Sequence, residues 1–179
     1  MLNTKLIRLL FLLLLPPMLL MSCSPRQPFR YDFETEDTLD TLSWQCKSLF
    51  TLTDRHATSG QRCLKMELYP SSYPGVELNK FNPDWSSYST LNFDMYHQEE
   101  TPLLFTIRID DQNAPSFHNR YNHESTLKYG MNHISLPLNR LHTSGTNRRI
   151  VLATVQQVII FLVQPRKKHT IFLDNIHLE

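Results

Sequence analysis

Apolar and polar residues alternate one by one along several short segments of this chain, and no other feature constrains its fold as strongly. In one segment Leu64, Met66 and Leu68 alternate with Lys65 and Glu67. Successive side chains of a β-strand point to opposite faces, so the pattern predicts a strand with one face in a core and the other in water. A helix would need apolar residues three or four positions apart.

Seven segments are predicted as strands, and polar turns that contain Pro or Asn separate them. The predicted strands are 47–53, 62–69, 91–97, 103–110, 132–138, 155–163 and 170–178. Residues 158–163 are apolar on both faces, which predicts a central position in a sheet. Because no helical segments lie between the strands, the pattern favours an all-β sandwich of two antiparallel sheets over βαβ units.

The first 22 residues have the layout of an export signal, with Lys5 and Arg8 ahead of a short apolar run at 9–15. This run is too short for a comfortable membrane-spanning helix. The four residues that end at Cys23 resemble the lipobox of bacterial lipoproteins, which implies cleavage after Ser22 and a lipid on Cys23. An ordinary secretory signal with an incidental cysteine is the alternative.

By this resemblance the chain consists of a signal peptide (1–22), a lipidated tether (23–30) and one domain (31–179). Residues 23–179 number 157, which is enough for one core. A lipid on Cys23 would hold the protein to a membrane without a spanning helix. We therefore expect a location in the bacterial cell envelope. Ser24 resembles the residue found after the cysteine in lipoproteins that are sent to an outer membrane.

The charge of the chain argues against a nucleic-acid partner. Cleavage after Ser22 would remove two of the 18 basic residues and leave 16 against 17 acidic ones. A nucleic-acid surface needs clustered Lys and Arg, whereas the only basic run, 166–168, follows Pro165 in a predicted turn. We expect no nucleic-acid partner, and membrane contact through the lipid alone.

Two further cysteines, Cys46 and Cys63, could form a disulfide in an exported protein. If segments 47–53 and 62–69 form a hairpin, these cysteines lie several positions out of register. A disulfide needs Cα atoms within about 7 Å. The pattern favours free thiols and leaves a disulfide open.

Five phrases follow one another in a characteristic order along the chain. They are Tyr31-Asp32-Phe33-Glu34, the segment 54–66, the segment 84–94, the segment 129–138, and Ile171-Phe172-Leu173-Asp174-Asn175-Ile176. The series resembles the galactose-binding-domain-like jelly-roll family, which includes many non-catalytic carbohydrate-binding modules. The resemblance covers nearly all of residues 31–178 and implies a jelly-roll β-sandwich that binds a carbohydrate. Because this fold also serves structural and assembly proteins, docking of an envelope protein partner is the alternative.

The resemblance also implies a structural Ca²⁺ that would tie the first and last strands together. The matching positions are Glu34 (or Asp32), the backbone carbonyls at 59–61, and Asp174. Ca²⁺ takes typically about 6–8 oxygen ligands of this kind. The alternative is that both carboxylates make hydrogen bonds without an ion. Gly60, in the same turn, is expected to take a positive φ.

Polar side chains on the predicted strands suggest a sugar-binding face, provided that the strands 91–97 and 103–110 are neighbours. The candidate ligand-binding residues are Asp94, Tyr96, Arg108, Asp110, Asn119, Arg120 and Asn122. Further stacking candidates are Tyr69, Tyr73, Tyr121 and Tyr129. Sugars need such donors and acceptors together with an aromatic ring. The alternative is that Asp94–Arg108 and Asp110–Arg120 are ion pairs that fix the register and bind nothing.

No catalytic arrangement is recognisable in the sequence. Some jelly-roll glycosidases use two carboxylates across a groove, but the Glu-x-Asp-x-x-Glu strand motif is missing here, and Glu67 and Glu77 stand alone. His118 and His123 match no common zinc spacing. We therefore predict a protein that binds a ligand and is not an enzyme.

Overall fold

The alternating segments form two antiparallel sheets in the computed structural model, which describes residues 29–179. The predicted signal peptide, the predicted lipid site at Cys23 and most of the predicted tether lie outside the described residues. Within residues 29–179, no helix has both the length and the apolar character needed to cross a bilayer.

Eleven strands are present in residues 29–179. In chain order they are β1 (Arg30–Tyr31), β2 (Leu42–Gln45), β3 (Ser48–Thr53), β4 (Cys63–Leu68), β5 (Gly75–Leu78), β6 (Thr90–His97), β7 (Leu103–Asp110), β8 (Tyr121–Leu127), β9 (Gly130–Pro137), β10 (Gln157–Phe161) and β11 (His169–Leu178). The connections contain short 3₁₀ helices at Glu36–Thr41, Phe117–Asn119, Leu138–Arg140 and Leu152–Thr154. All seven predicted strands occur, with each end within two residues of the prediction.

The strands divide between two sheets. The first sheet has the order β3-β4-β11-β6-β9, and β1 pairs with the far end of β11. The second sheet has the order β2-β5-β10-β7-β8. All neighbouring strands are antiparallel. The predicted all-β jelly-roll sandwich is confirmed, and β10 lies in the middle of its sheet as its two apolar faces predict.

The core lies between the inner faces of the two sheets, and burial follows the alternation of the sequence. Leu64, Met66 and Leu68 of β4 are buried, as are Val158 and Ile160 of β10. Full burial of such a side chain stabilises the folded state by about 1.5–3 kcal/mol. Because the inner positions of each strand are committed to this core, functional groups must lie on the outer faces or in the loops.

The two cysteines of the described chain are free thiols, with Cys46 exposed and Cys63 buried. The segments on either side of residues 54–62 do form the predicted hairpin, in which Thr53 pairs with Cys63 and Ser48 pairs with Leu68. Cys46 therefore lies at the opposite end of the hairpin from Cys63, and this separation prevents a disulfide between them.

Candidate functional site

The predicted sugar-binding face required β6 and β7 to be neighbours, and this expectation is wrong. β6 lies in the first sheet between β11 and β9, whereas β7 lies in the second sheet between β10 and β8. Asp94 and Tyr96 are therefore on a different sheet from Arg108 and Asp110. The alternation of a strand shows which side chains face the core, but it does not show which sheet the strand joins.

The outer face of the second sheet carries a row of side chains from all five strands. Strand register aligns Ser43 with Glu77, Glu77 with Ile159, Ile159 with Arg108, and Arg108 with Asn122. We call this surface the open face. It comprises Tyr73, Glu77, Arg108, Asp110, Arg120, Asn122, Gln157, Ile159 and Phe161.

A buried ion pair organises the polar part of the open face. Arg108 and Asp110 are two residues apart on β7, so their side chains lie on the same side of the sheet. The Arg108 guanidinium donates to both carboxylate oxygens of Asp110, with an Nε–Oδ1 distance of 2.9 Å. The Gln157 amide also donates to this carboxylate. Asp110 is completely buried, and the Arg108 side chain is 19% exposed, so a ligand would meet the arginine and not the acid.

Arg120 lies beside this pair at the start of β8. The β7–β8 register, continued one position past Ile109 and Tyr121, sets Arg120 opposite Asp110. The Arg120 guanidinium also lies over the Phe117 ring, 5.3 Å from its centroid. Burial and the neighbouring charge of Arg108 lower the pKa of Arg120, and Asp110 and the Tyr73 phenol act in the opposite direction.

Aromatic and aliphatic side chains form the other part of the open face. The half-exposed Tyr73 ring meets Phe161 edge to face, with centroids 5.7 Å apart. Gly75 pairs with Phe161, and a Cβ on Gly75 would come within 2.2 Å of the Ile160 carbonyl oxygen. The backbone approaches closely at this point because the residue has no side chain. An exposed ring beside a polar row is a surface on which a sugar ring can stack.

Asn119 and Asn122, also predicted as ligand residues, contact the neighbouring loop. The side-chain oxygen Oδ1 of Asn119 accepts from Arg148 Nε at 3.0 Å, and the side-chain amide of Asn122 donates to Ser144 Oγ at 3.2 Å. Arg148 also makes two hydrogen bonds to the buried Asp111, at 2.6 and 2.8 Å. Burial works to raise the pKa of Asp111, but the hydrogen bond from Arg148 offsets it and the pKa falls. This network holds the loop at one end of the open face.

The outer face of the first sheet is covered by residues 54–62, which we call the covering loop. Asp94 and Tyr96 lie beneath this loop. His56 stacks on Tyr96 with centroids 3.6 Å apart, and Thr58 Oγ1 donates to Asp94 at 2.6 Å. His133 lies 2.6 Å from the other oxygen of Asp94. These two predicted ligand residues therefore have partners within the chain, and the predicted Asp94–Arg108 pair does not form because the two residues are on different sheets.

The predicted metal positions Glu34 and Asp174 both contact the covering loop, through its backbone N–H groups. The Asp174 carboxylate accepts the backbone N–H groups of Thr58 and Ser59 at 2.6 and 2.9 Å. Glu34 Oε1 accepts those of Gln61 and Arg62 at 2.9 and 3.0 Å. Calcium binds oxygen atoms, whereas here N–H groups contact Glu34 Oε1 and Asp174 Oδ2. In this arrangement both carboxylates hold the loop by hydrogen bonds, as the alternative without an ion predicts, and a calcium ion at these positions stays a prediction.

Gly60 takes the predicted positive φ, at +68°. A Cβ there would also lie 2.3 Å from Glu34 Oε1, so the turn and the carboxylate require glycine together. Within residues 29–179 no group of three or more His, Cys, Asp or Glu side chains is arranged to hold a metal ion.

A separate cleft of about 1090 Å³ lies between the residues around β1 and the segment 80–84. Three aspartates line it, of which Asp32 lies 3.9 Å from Arg30 and Asp84 accepts the Ser86 backbone N–H at 3.0 Å. The rings of Phe29 and Tyr31 in its wall are buried in the core. The cleft offers carboxylates and hydroxyls, but it lacks the exposed ring that Tyr73 supplies on the open face.

Sequence reasoning missed the β5 and β10 residues of the open face, namely Glu77, Gln157, Ile159 and Phe161. The three on β10 lie at odd-numbered positions, opposite in phase to the buried Val158 and Ile160. This phase was visible in the sequence. However, Ile159 is apolar and buried. The outer side of β10 therefore resembles a core-facing side in the sequence.

No protein-family model matches the sequence, and the search of curated proteins found no match. Solved structures do resemble it. An exo-β-agarase matches with a TM-score of 0.66 and 16% identity, over 83% of this chain and 25% of the agarase chain. This chain therefore spans about a quarter of that enzyme.

Two binding modules match over most of their length. One is the family 11 carbohydrate-binding module from Clostridium thermocellum, solved with a β-1,3-1,4-mixed-linked tetrasaccharide (TM-score 0.55, 14% identity, 76% of this chain and 86% of that one). The other is a family 22 xylan-binding domain from Paenibacillus barcinonensis (TM-score 0.56, 12% identity, 84% and 97%). The protein therefore has the jelly-roll fold of these carbohydrate-binding modules.

Proposed function

We propose that this protein is a non-catalytic glycan-binding module and that the open face is its binding site. The observation that carries the proposal is a half-exposed Tyr73 ring, packed on Phe161, on the same sheet face as the polar groups around Arg108. The ring can lie against the apolar side of a sugar, and the guanidinium can donate to its hydroxyls. Family 11 and family 22 modules, which share the fold, support a glycan as the ligand.

We also propose that Cys23 carries a lipid and holds the domain at the cell envelope. A weak binder that is concentrated on a membrane can retain a polymer with many binding sites, because repeated contacts raise the effective concentration. Mass spectrometry of the N-terminal peptide of protein recovered from membranes would test this proposal. An acylated peptide that begins at Cys23 is expected, and an unmodified cysteine there would overturn the anchor.

Glycan-array binding by the full chain, purified in mild detergent, tests the binding function. We expect binding to at least one polysaccharide class, and loss of that signal in Tyr73→Ala. Tyr129→Ala is the matched control, because Tyr129 is also an exposed tyrosine but lies in the β8–β9 turn. Absence of binding to every class would overturn the function. Equal binding by Tyr73→Ala would overturn the site.

A second candidate function is the docking of an envelope protein. Leu104 on β7 and Val163 just after β10 are both highly exposed, and the β7–β10 register, continued beyond Phe161, sets them side by side. Exposed apolar residues in contact can mark a protein interface. Crosslinking in intact cells through a photoreactive residue at position 163, with and without Leu104→Ser, separates the two functions. A protein adduct that Leu104→Ser abolishes supports docking.

A further inference from the structure

We propose that the open face prefers acidic polysaccharides, and that Arg120 binds a negatively charged substituent of the sugar. This inference rests on the proposed glycan-binding function and names the class of glycan. It comes from an arginine whose side chain lacks a complete set of hydrogen-bond partners among residues 29–179.

The first observation is the state of the Arg120 side chain. Its Nε–H is buried and has no hydrogen-bond partner among the described residues. A buried donor without an acceptor costs free energy, and native proteins rarely keep one without a purpose. The Phe117 ring under the guanidinium stabilises its positive charge by a cation–π contact, but the ring accepts no conventional hydrogen bond. Arg120 is therefore placed to donate to a group that the described chain does not supply.

The second observation is that the nearest carboxylate is already committed. Asp110, opposite Arg120 in the register, accepts from Arg108 and Gln157 and is completely buried. Two guanidinium groups thus share the surroundings of one acid, and burial together with the charge of Arg108 lowers the pKa of Arg120. An additional anion at this point would relieve the repulsion between Arg108 and Arg120.

The other acids of this surface do not provide that anion. Glu124 lies four residues further along β8, which is roughly 13 Å at the rise of a strand. Glu77 lies on β5, two strands away from Arg108 in the register, and accepts from Asn79 at 2.8 Å. The open face is therefore positive at its Arg120 end.

A carboxylate or a sulfate on a sugar ring fits this position. The fork of donors on a guanidinium matches two oxygens of an oxyanion, which makes arginine the usual residue for such groups. Tyr73, whose ring contacts Phe161 on the same face, can stack on a further sugar of the same polymer. One anionic and one apolar contact on the same polymer would distinguish an acidic polysaccharide from its neutral counterpart.

Affinity electrophoresis of the full chain in mild detergent tests the inference with matched polymers. Polygalacturonate is compared with the same polymer after methyl esterification, and a sulfated galactan is compared with neutral agarose. We expect at least one anionic polymer to bind tenfold or more tightly than its neutral partner at low salt, with weakening as salt is added. A preference for polygalacturonate identifies the oxyanion as a carboxylate, and a preference for the sulfated galactan identifies it as a sulfate.

Variants of Arg120 show whether this side chain contacts the polymer or whether the net charge of the protein alone explains the preference. Arg120→Gln should remove the preference for the anionic polymer, and Arg120→Lys should restore it in part, because lysine keeps the charge but not the fork. Arg55→Gln is the control, since it makes the same change of charge on the covering loop of the other sheet. The melting temperature of each variant verifies folding.

Equal binding of the anionic and neutral members of each pair would overturn this inference and leave the proposed function intact. Retention of the preference by Arg120→Gln would also overturn it. Absence of binding to any polysaccharide would overturn the proposed function, and the inference with it.

Discussion

The outer faces of the two sheets carry similar polar and aromatic side chains, but these side chains differ in what they contact. On the first sheet, the covering loop supplies a hydroxyl to Asp94 and a stacked ring to Tyr96. On the second sheet, Tyr73 is half exposed and the Arg120 Nε–H has no partner among the described residues. Polar residues on a strand therefore indicate a site only where no loop of the same chain has already bound them.

The largest effect is expected from breaking the attachment of the covering loop. Asp174→Ala removes the acceptor of the Thr58 and Ser59 backbone N–H groups, and buried donors left without an acceptor are costly. We expect the free energy of unfolding in urea to fall by about 2–4 kcal/mol. Asp174→Asn keeps one acceptor oxygen and should lose less. Asp32→Ala, at a carboxylate that is only half-buried, is the control, and a loss as large in that variant would contradict the role given to Asp174.

Replacing one tyrosine on each sheet by alanine tests directly whether the two outer faces differ in function. Tyr96→Ala should lower the free energy of unfolding by about 1–2 kcal/mol, because it removes the ring stacked on His56, and should leave glycan affinity unchanged. Tyr73→Ala should weaken glycan binding about tenfold, or roughly 1.4 kcal/mol, with little change in stability. Titration calorimetry with the polysaccharide found on the array measures both affinities. Weakened binding in Tyr96→Ala would show that the first sheet contributes to the site.

A smaller effect is expected from pH on the first sheet. Burial acts to raise the pKa of Asp94, but hydrogen bonds from Thr58, His133 and Asn175 offset it, and the pKa lies below its usual value. A depressed carboxyl pKa contributes stability that is present above the unfolded value, about 3.9, and is lost as pH falls below it. Asp94→Asn should therefore lose less stability than the parent between pH 6 and pH 3, measured by urea denaturation at each pH.

The pKa of Asp174, on the same face, is shifted in the opposite direction to that of Asp94. Burial raises the pKa of its carboxyl even though backbone N–H groups lower it. A raised carboxyl pKa contributes stability that is present at low pH and lost as pH rises through the folded value. Asp174→Asn should thus lose more stability than the parent on acidification. If both variants respond to pH as the parent does, neither carboxylate governs the acid sensitivity.

The smallest effect is expected from removing metal ions. Because backbone N–H groups already donate to Glu34 Oε1 and to Asp174 Oδ2, we expect that EDTA leaves the melting temperature unchanged and that added Ca²⁺ does not raise it. An ion bound only by the folded state must raise its stability. An increase of several degrees with Ca²⁺ would show that the loop rearranges to present carbonyl oxygens.

Strands with regular alternation were predictable, and polar or very short strands were not. β8, Tyr121–Leu127, contains only two strongly apolar residues at its ends, and as an edge strand it needs no apolar face. β1 has two residues, and β2 and β5 have four each. Segments of this length contain too little alternation to be distinguished from loops.

The candidate site was predictable only in part. Arg108, Asp110, Arg120 and Asn122 do share one surface, because β7 and β8 follow each other in sequence and form a hairpin. Asp94 and Tyr96 do not join them, because the chain changes sheets between β6 and β7. Nearby residues in a hairpin can be placed from sequence, whereas partners from distant strands cannot.

The sequence by itself determined the β-class of this protein, the inward and outward sides of its regular strands, and the left-handed turn at Gly60. Each of these depends on neighbouring residues, through the two-residue period of a strand and the absence of a Cβ. Which outer face is covered and which is open depends on the tertiary structure and does not follow from the sequence pattern. That outcome depends on strand order and on where the loop 54–62 packs, and both are set by contacts between residues far apart in the chain.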